Sequence, residues 1–91
     1  MSANWRSDLN ALSFQPQGHI GECFVHCRAF QTILGASSPP TPDQCRAAYA
    51  ELREAFQHAA AEKILRAALT PEANFHLTSR DVLRTQLKSR I

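Results

Sequence analysis

The feature that most constrains the fold of this chain is a helix signal that begins at Thr41 and ends at Thr70-Pro71. The segment Thr41-Pro42-Asp43-Gln44 combines an N-cap threonine, a proline at the first helical position and a glutamine at the third, which is a capping box with the preferred proline placement. Apolar residues then recur every three or four positions and form one continuous stripe, made of Cys45, Tyr49, Leu52, Phe56, Ala59, Ala60 and Ile64. We therefore predict one long amphipathic helix over residues 42–69.

The length of this helix has a consequence for assembly. At 1.5 Å per residue, a continuous helix over residues 42–69 is about 40 Å long, which exceeds the diameter expected for a domain of 91 residues. Such a helix either bends or projects from the domain and needs a partner. We predict self-association, with a dimer favoured, through five apolar side chains of the helix: Tyr49, Leu52, Phe56, Leu65 and Leu69.

The segments before the long helix predict two strands and a short helix. Residues 11–15 alternate apolar and polar, Pro16-Gln17-Gly18 is a turn signal, and residues 19–26 are rich in strand-forming side chains. Two strands joined by so short a turn predict an antiparallel hairpin. Residues 27–34 then follow a helical pattern that Gly35 ends.

The segments after the long helix predict one more strand and one more helix. Residues 75–77 are short enough for an edge strand, and Thr78 and Asp81 repeat the capping pattern before a third helix. The sequence thus predicts an α+β fold in the order ββααβα, in which one long helix and two short helices pack on a small antiparallel sheet. Residues 1–10 are assigned to an N-terminal arm and residues 11–91 to a single domain.

Composition narrows the class of protein. The net charge of +2 is too small to demand a nucleic acid or an anionic membrane as partner. No apolar run approaches the ~18–20 residues that span a bilayer, and the first residues lack the order of a secretion signal. Three cysteines, an odd number, are typical of free thiols in a reducing compartment. We expect a cytoplasmic protein that does not associate with membranes.

A metal site is the first chemical hypothesis that the sequence raises. Cys23, His26 and Cys27 are close in sequence, and Cys45 or His76 would have to complete a set of four ligands. Cys23 and His26 are three apart on a predicted strand, so their side chains point to opposite faces unless a turn begins near Val25. We therefore predict no metal and no cofactor, and convergence of these side chains stays open.

Catalysis is the second chemical hypothesis. A cysteine nucleophile needs a base and an orienting group; His58, His76 and His26 are available as bases, and Glu62 lies one turn from His58. A histidine and a glutamate at this spacing are more often an ordinary surface pair. No phosphate-binding loop, nucleophile elbow or paired-carboxylate signature is present in the sequence. We predict no catalytic residues and no enzymatic activity.

A basic ridge near the C-terminus is the third candidate. Arg80, Arg84 and Lys88 recur every four residues, and Arg90 follows. Such a ridge can contact phosphates, although basic residues near a helix C-terminus also complement the helix dipole. Electrostatic binding of nucleic acid is therefore the alternative to self-association, and it is not favoured.

The remaining motifs are Glu22-Cys23-Phe24-Val25, Leu34-Gly35, a helix that begins at Asp43 and carries Ala48, Arg53, Phe56, Ala59-Ala60-Ala61 and Lys63, and the ending Phe75-His76-Leu77-Thr78-Ser79-Arg80-Asp81-Val82. Together they resemble a small bacterial family catalogued as domain of unknown function 1488. The resemblance spans roughly residues 12–83. It implies the α+β fold and supplies no catalytic residues. The prediction is thus a small, uncharacterised, non-catalytic binding or accessory module.

Overall fold

The protein has two layers, a sheet and a set of helices that covers one face of it. The computed structural model describes the backbone of residues 3–89 and the side chains of residues 3–84. The elements in chain order are β1 (Asn4–Arg6), β2 (Ala11–Phe14), β3 (Cys23–His26), α1 (Cys27–Leu34), α2 (Pro42–Glu51), α3 (Arg53–Ala67), β4 (Phe75–Leu77) and α4 (Ser79–Ser89). The α+β class predicted from the sequence is confirmed.

The sheet has the strand order β1-β2-β3-β4. Strands β2 and β3 form the predicted antiparallel hairpin, with Leu12 opposite Val25. Strand β4 pairs with β3 in parallel, with Val25 opposite Leu77, so the sheet is mixed and the prediction of a purely antiparallel sheet was wrong. The chain enters β4 only after α1, α2 and α3, and this long crossover allows a parallel pairing.

The first residues also differ from the prediction. Asn4–Arg6, which we assigned to an N-terminal arm, forms the edge strand β1 and pairs antiparallel with β2. Trp5 lies opposite Leu12 and packs against the hydrophobic core, while Arg6 lies opposite Ala11. The indole of Trp5 therefore anchors this segment as part of the sheet.

The predicted long helix is interrupted at Leu52. Its backbone there has φ −107° and ψ 25°, outside the helical region, and it separates α2 from α3. The longest dimension of the molecule is 35 Å, so the bend keeps both helices over the sheet. The prediction of one continuous helix was wrong, and excess helix length is no longer an argument for self-association.

Three predicted helix ends are present, whereas α3 ends at Ala67, two residues before the predicted end at Leu69. Thr41 and Gln44 form the reciprocal capping box of α2, in which the Gln44 N–H donates to Thr41 Oγ1 and the Thr41 N–H donates to Gln44 Oε1. Gly35 ends α1 in the left-handed conformation at φ 65°. At the start of α4, the Asp81 N–H donates to Thr78 Oγ1 and the Thr78 N–H donates to the Asp81 carboxylate.

The core lies between the helices and one face of the sheet. Strand residues of alternate positions face it, among them Leu12, Phe14, Cys23, Val25, Phe75 and Leu77. Aromatic rings from β2, α1, α2 and α3 meet at its centre, with ring centroids 5.0 Å apart for Phe14 and Tyr49 and 5.5 Å apart for Phe30 and Phe56. These helices therefore do not cover the opposite face of the sheet, where the other side chains of the strands lie.

Two loops are joined tightly at one end of the sheet. The N–H groups of Ile20 and Gly21 both donate to the carbonyl of Pro71, and the ring of His19 is 2.7 Å from the carbonyl oxygen of Ala73. A Cβ atom at Gly21 would collide with the backbone of Ala73, so this close approach requires glycine. The contact holds the loop after β2 against the loop before β4 and fixes the pairing of β3 with β4.

Candidate functional site

The five residues predicted for the self-association surface do not share one exposed face. Tyr49 and Phe56 are buried in the core, and Leu52 and Leu69 are half-buried. The prediction that Tyr49 and Phe56 form an interface was wrong, because the monomer already uses both rings in its core. Leu65 alone of the five is strongly exposed, with 82% of its surface accessible.

Leu65 lies on the same face of α3 as an open groove. The groove has a volume of about 900 Å³ and is bounded by the loop after β2 and the first turns of α3: Gln15, Pro16, Gln17, Arg53, Glu54, Gln57, His58 and Ala61. The Gln17 N–H donates to Gln57 Oε1 at 2.9 Å and holds the loop on the helix. Leu65 follows Ala61 by one turn and His58 by two, so the exposed leucine continues the line of the groove.

The predicted basic ridge is only partly described. Arg80 is exposed and Arg84 is half-buried, and both border a shallow depression of α4 together with Ser79 and Leu83. Lys88 belongs to α4, but its side chain lies outside the described part of the chain, and so does Arg90. The structure thus places Arg80 and Arg84 on neighbouring turns beside an apolar side chain.

The three cysteines are free and buried. Cys23 faces the core, where burial raises the pKa of its thiol well above the ordinary value. Burial, and then the neighbouring Cys27 thiol, raise the pKa of Cys45 to about 12. The Cys27 thiol donates to the carbonyl of Pro40 at 3.3 Å. Protonated, buried thiols are poor nucleophiles and poor metal ligands.

The side chains of Cys23 and His26 lie on opposite faces of β3, and His26 meets His76 instead. His26 Nε2 is 2.9 Å from His76 Nδ1, and the two rings are within 10° of parallel. In the sequence, His76 is a metal-ligand candidate only as the residue that completes a set with the cysteines. No sequence signal indicates that His26 and His76, fifty positions apart, meet. Among the described residues, no group of three or more His, Cys, Asp and Glu side chains could hold a metal ion.

The sheet face that carries the two histidines is otherwise occupied by a small polar network. The Ser13 hydroxyl donates to a carboxylate oxygen of Glu22 at 2.7 Å. The guanidinium of Arg6 lies over the ring of Phe24, 5.9 Å from its centroid, and reaches Glu22 at 3.9 Å. Phe24 is also a neighbour of the His76 ring, at 5.4 Å between centroids. The main partner of Arg6 is Asp8 at 3.0 Å, with Glu22 the more distant one, and the histidine pair lies at the edge of this network.

Asp81 is the centre of the second polar cluster, which joins α3, β4 and α4. Its carboxylate binds Lys63 Nζ at 3.0 Å and the Arg66 guanidinium at 3.1 Å, and it accepts the N–H of Thr78. Lys63 Nζ also donates to the carbonyl of His76. Burial alone would raise the pKa of Asp81, but the hydrogen bonds from Thr78 and the charge of Lys63 outweigh it and lower the pKa below its usual 3.8. The cluster is therefore explained by its structural role, which is to hold α3, β4 and α4 together.

Comparison with known proteins identifies the fold. No family model matches the sequence, and no curated protein is similar to it. A crystal structure of a protein of unknown function from the DUF1488 family of Shewanella loihica PV-4 is similar, with a TM-score of 0.66 and 17% sequence identity. The match covers 82% of this chain and 84% of the other. The two proteins share a fold, so the resemblance drawn from the sequence motifs is confirmed at the level of the fold.

A search of the described residues for membrane spans finds no helix with the length and apolar character to cross a bilayer.

Proposed function

We propose that this protein is a small, non-catalytic binding module of the cytoplasm that forms a homodimer through α3. The observation that carries the proposal is the 82% exposure of Leu65 on the helix face that also borders the groove. An exposed leucine by itself is common on protein surfaces. Here Leu65 adjoins the groove between α3 and the loop after β2. Each copy therefore has both a projecting leucine and a groove that can accept the leucine of a second copy.

An antiparallel pairing of two copies of α3 satisfies both features at once. Seven residues of helix, about 10 Å, separate Leu65 from His58 at the groove. A twofold axis near Ala61 then places Leu65 of each protomer beside His58 of the other. Such an interface is isologous, because the same patch is used on both subunits, and it closes after two copies.

The small side chain at the centre supports a close approach of the two helices. Ala61 is exposed and lies between His58 and Leu65 on the proposed interface face. A methyl group there lets the helix backbones approach, so that the Leu65 side chains can reach the grooves. The antiparallel orientation rests on this geometry, because Arg53 and Glu54 in the first turn of α3 cancel and give no net charge that would set it.

Disulfide trapping tests the proposed register. Ala61→Cys places a thiol next to the twofold axis, whereas the three native thiols are buried. We expect the Ala61→Cys protein to form a disulfide-linked dimer under mild oxidation much faster than an Ala47→Cys control, because Ala47 is an exposed alanine of α2 outside the proposed interface. Equal rates for the two variants would contradict the α3 interface.

Electrostatic binding of nucleic acid is the alternative proposal. It would use the exposed Arg80 and its neighbour Arg84 on α4. Each phosphate contact steepens the fall of affinity with salt, so the interaction should be strongest at low ionic strength. A gel-shift titration of duplex and single-stranded nucleic acid at low salt tests this alternative. Retardation by the wild type that is lost in an Arg80→Ala, Arg84→Ala double variant supports nucleic-acid binding. No retardation by the wild type rejects it.

A further inference from the structure

The pairing of β3 with β4 places His26 and His76 on the same face of the sheet. Phe24 lies opposite His76 in the parallel register, and His26 follows Phe24 by two residues. Because side chains alternate along a strand, Phe24, His26 and His76 all point away from the helices. His76 is exposed and His26 is half-buried, so solvent reaches the pair.

The separation of the two ring nitrogens matches metal ligation. His26 Nε2 and His76 Nδ1 share one proton in a hydrogen bond of 2.9 Å, and a metal ion would take the place of that proton. Two imidazole nitrogens at about 2.0–2.1 Å from one ion lie about 2.9 Å apart when the angle at the metal is a right angle, and about 3.3 Å apart when it is tetrahedral. The observed distance therefore corresponds to neighbouring positions of a square-planar or octahedral ion.

We propose that His26 and His76 bind one divalent transition-metal ion through His26 Nε2 and His76 Nδ1, with water at the remaining positions. Square-planar nitrogen and oxygen coordination suits Cu²⁺ and Ni²⁺, and affinities of such ligands rise from Ni²⁺ to Cu²⁺ and fall again at Zn²⁺. The preference of the site is therefore Cu²⁺ first, followed by Ni²⁺ and then Zn²⁺.

The charges near the pair permit a cation. Lys63 is close, because its Nζ donates to the carbonyl of His76. Lys63 is held by the Asp81 carboxylate at 3.0 Å, which offsets its positive charge near the site.

Isothermal titration calorimetry tests the site. The untagged protein is titrated at neutral pH with CuCl₂, NiCl₂ and ZnCl₂ in separate experiments. We expect one Cu²⁺ per chain and the affinity order given above. The replacements His26→Gln and His76→Gln should each weaken Cu²⁺ binding about tenfold or more, as losses at metal sites do. His58→Gln, which replaces an exposed histidine of α3 far from the pair in sequence, should leave the affinity unchanged.

The electron paramagnetic resonance spectrum of the Cu²⁺ complex supplies a second readout. Nitrogen hyperfine structure from two imidazoles should be present in the wild type and reduced in His76→Gln. No binding by the wild type, wild-type affinity in either the His26→Gln or the His76→Gln variant, or loss of binding in His58→Gln would each overturn the proposal. The site lies on the sheet face opposite to the helices, so the outcome is independent of dimerisation through α3.

Discussion

The Asp81 carboxylate lies 3.0 Å from the ammonium of Lys63 and fastens the first turn of α4 to the middle of α3. The side chain of Asp81 is only 9% exposed, and the same carboxylate accepts the N–H and the hydroxyl of Thr78. One side chain thus completes a helix cap, an ion pair and an interhelix contact. Its removal leaves the cap without its acceptor and leaves Lys63 without its carboxylate, with the His76 carbonyl as its remaining acceptor.

Replacement of Asp81 should therefore destabilise the fold. We expect Asp81→Ala to lower the free energy of unfolding by about 2 kcal/mol, in the range of hydrogen bonds to charged groups. Asp81→Asn should cost less, because the amide oxygen can still accept from Thr78. Urea denaturation measures both. Asp43→Asn is the matched control, since that carboxylate is 91% exposed, and a loss there equal to that of Asp81→Asn would contradict this explanation.

Stability should also depend on the protonation of Asp81. Its pKa in the folded protein is lower than 3.8, so the folded state binds fewer protons than the unfolded state. The stability it supplies is complete above pH 3.8 and is lost as the pH falls through the folded-state pKa. Urea midpoints between neutral pH and pH 3 should fall more steeply for the wild type than for Asp81→Asn; parallel curves would contradict the assignment.

The junction of the two loops at Gly21 gives a third prediction. Gly21→Ala should lower the free energy of unfolding by about 1–3 kcal/mol, because the added methyl group collides with the backbone of Ala73. Gly18→Ala is the matched control: its φ of 76° is strained for alanine, but the space around it is open. That strain costs about 1 kcal/mol. Thermal unfolding in which Gly21→Ala loses no more than Gly18→Ala would contradict the close approach.

The end of α3 gives a prediction of the opposite sign. Ala68 caps the helix in the left-handed conformation at φ 52°, which glycine adopts without steric cost. Ala68→Gly should raise the free energy of unfolding by roughly 0.5–1 kcal/mol. Ala67→Gly, one residue earlier and still helical, should lower it by a similar amount. Urea denaturation in which Ala67→Gly is more stable than Ala68→Gly would contradict the left-handed conformation of Ala68.

Local signals predicted the parts of the fold that depend on local chemistry. The caps at Thr41 and Thr78, the glycine stop at Gly35 and the hairpin of β2 and β3 all follow from neighbouring residues. The bend at Leu52 carries no proline or glycine, so packing over the sheet determines it. Likewise, the interface prediction failed at Tyr49 and Phe56 because an apolar stripe on a helix does not show whether the core of the same chain or a second copy buries it.

The histidine pair could not be predicted from the sequence for a related reason. His26 and His76 meet only because β4 joins the sheet in parallel beside β3, and a parallel pairing leaves no turn signal in the sequence. The strand pattern at His26 did predict that its side chain points away from Cys23. The identity of its neighbour required the topology.

Sedimentation equilibrium at high micromolar concentration tests dimerisation through α3 most directly. The chain mass is 10.1 kDa, and we predict twice that mass for the wild type. Leu65→Glu should sediment as a single chain, because the variant replaces the apolar side chain whose burial would stabilise the dimer. Ile20→Glu, which replaces another exposed apolar residue at 65% exposure, should stay dimeric. A wild type of 10.1 kDa, or a Leu65→Glu protein that stays dimeric, would contradict the account.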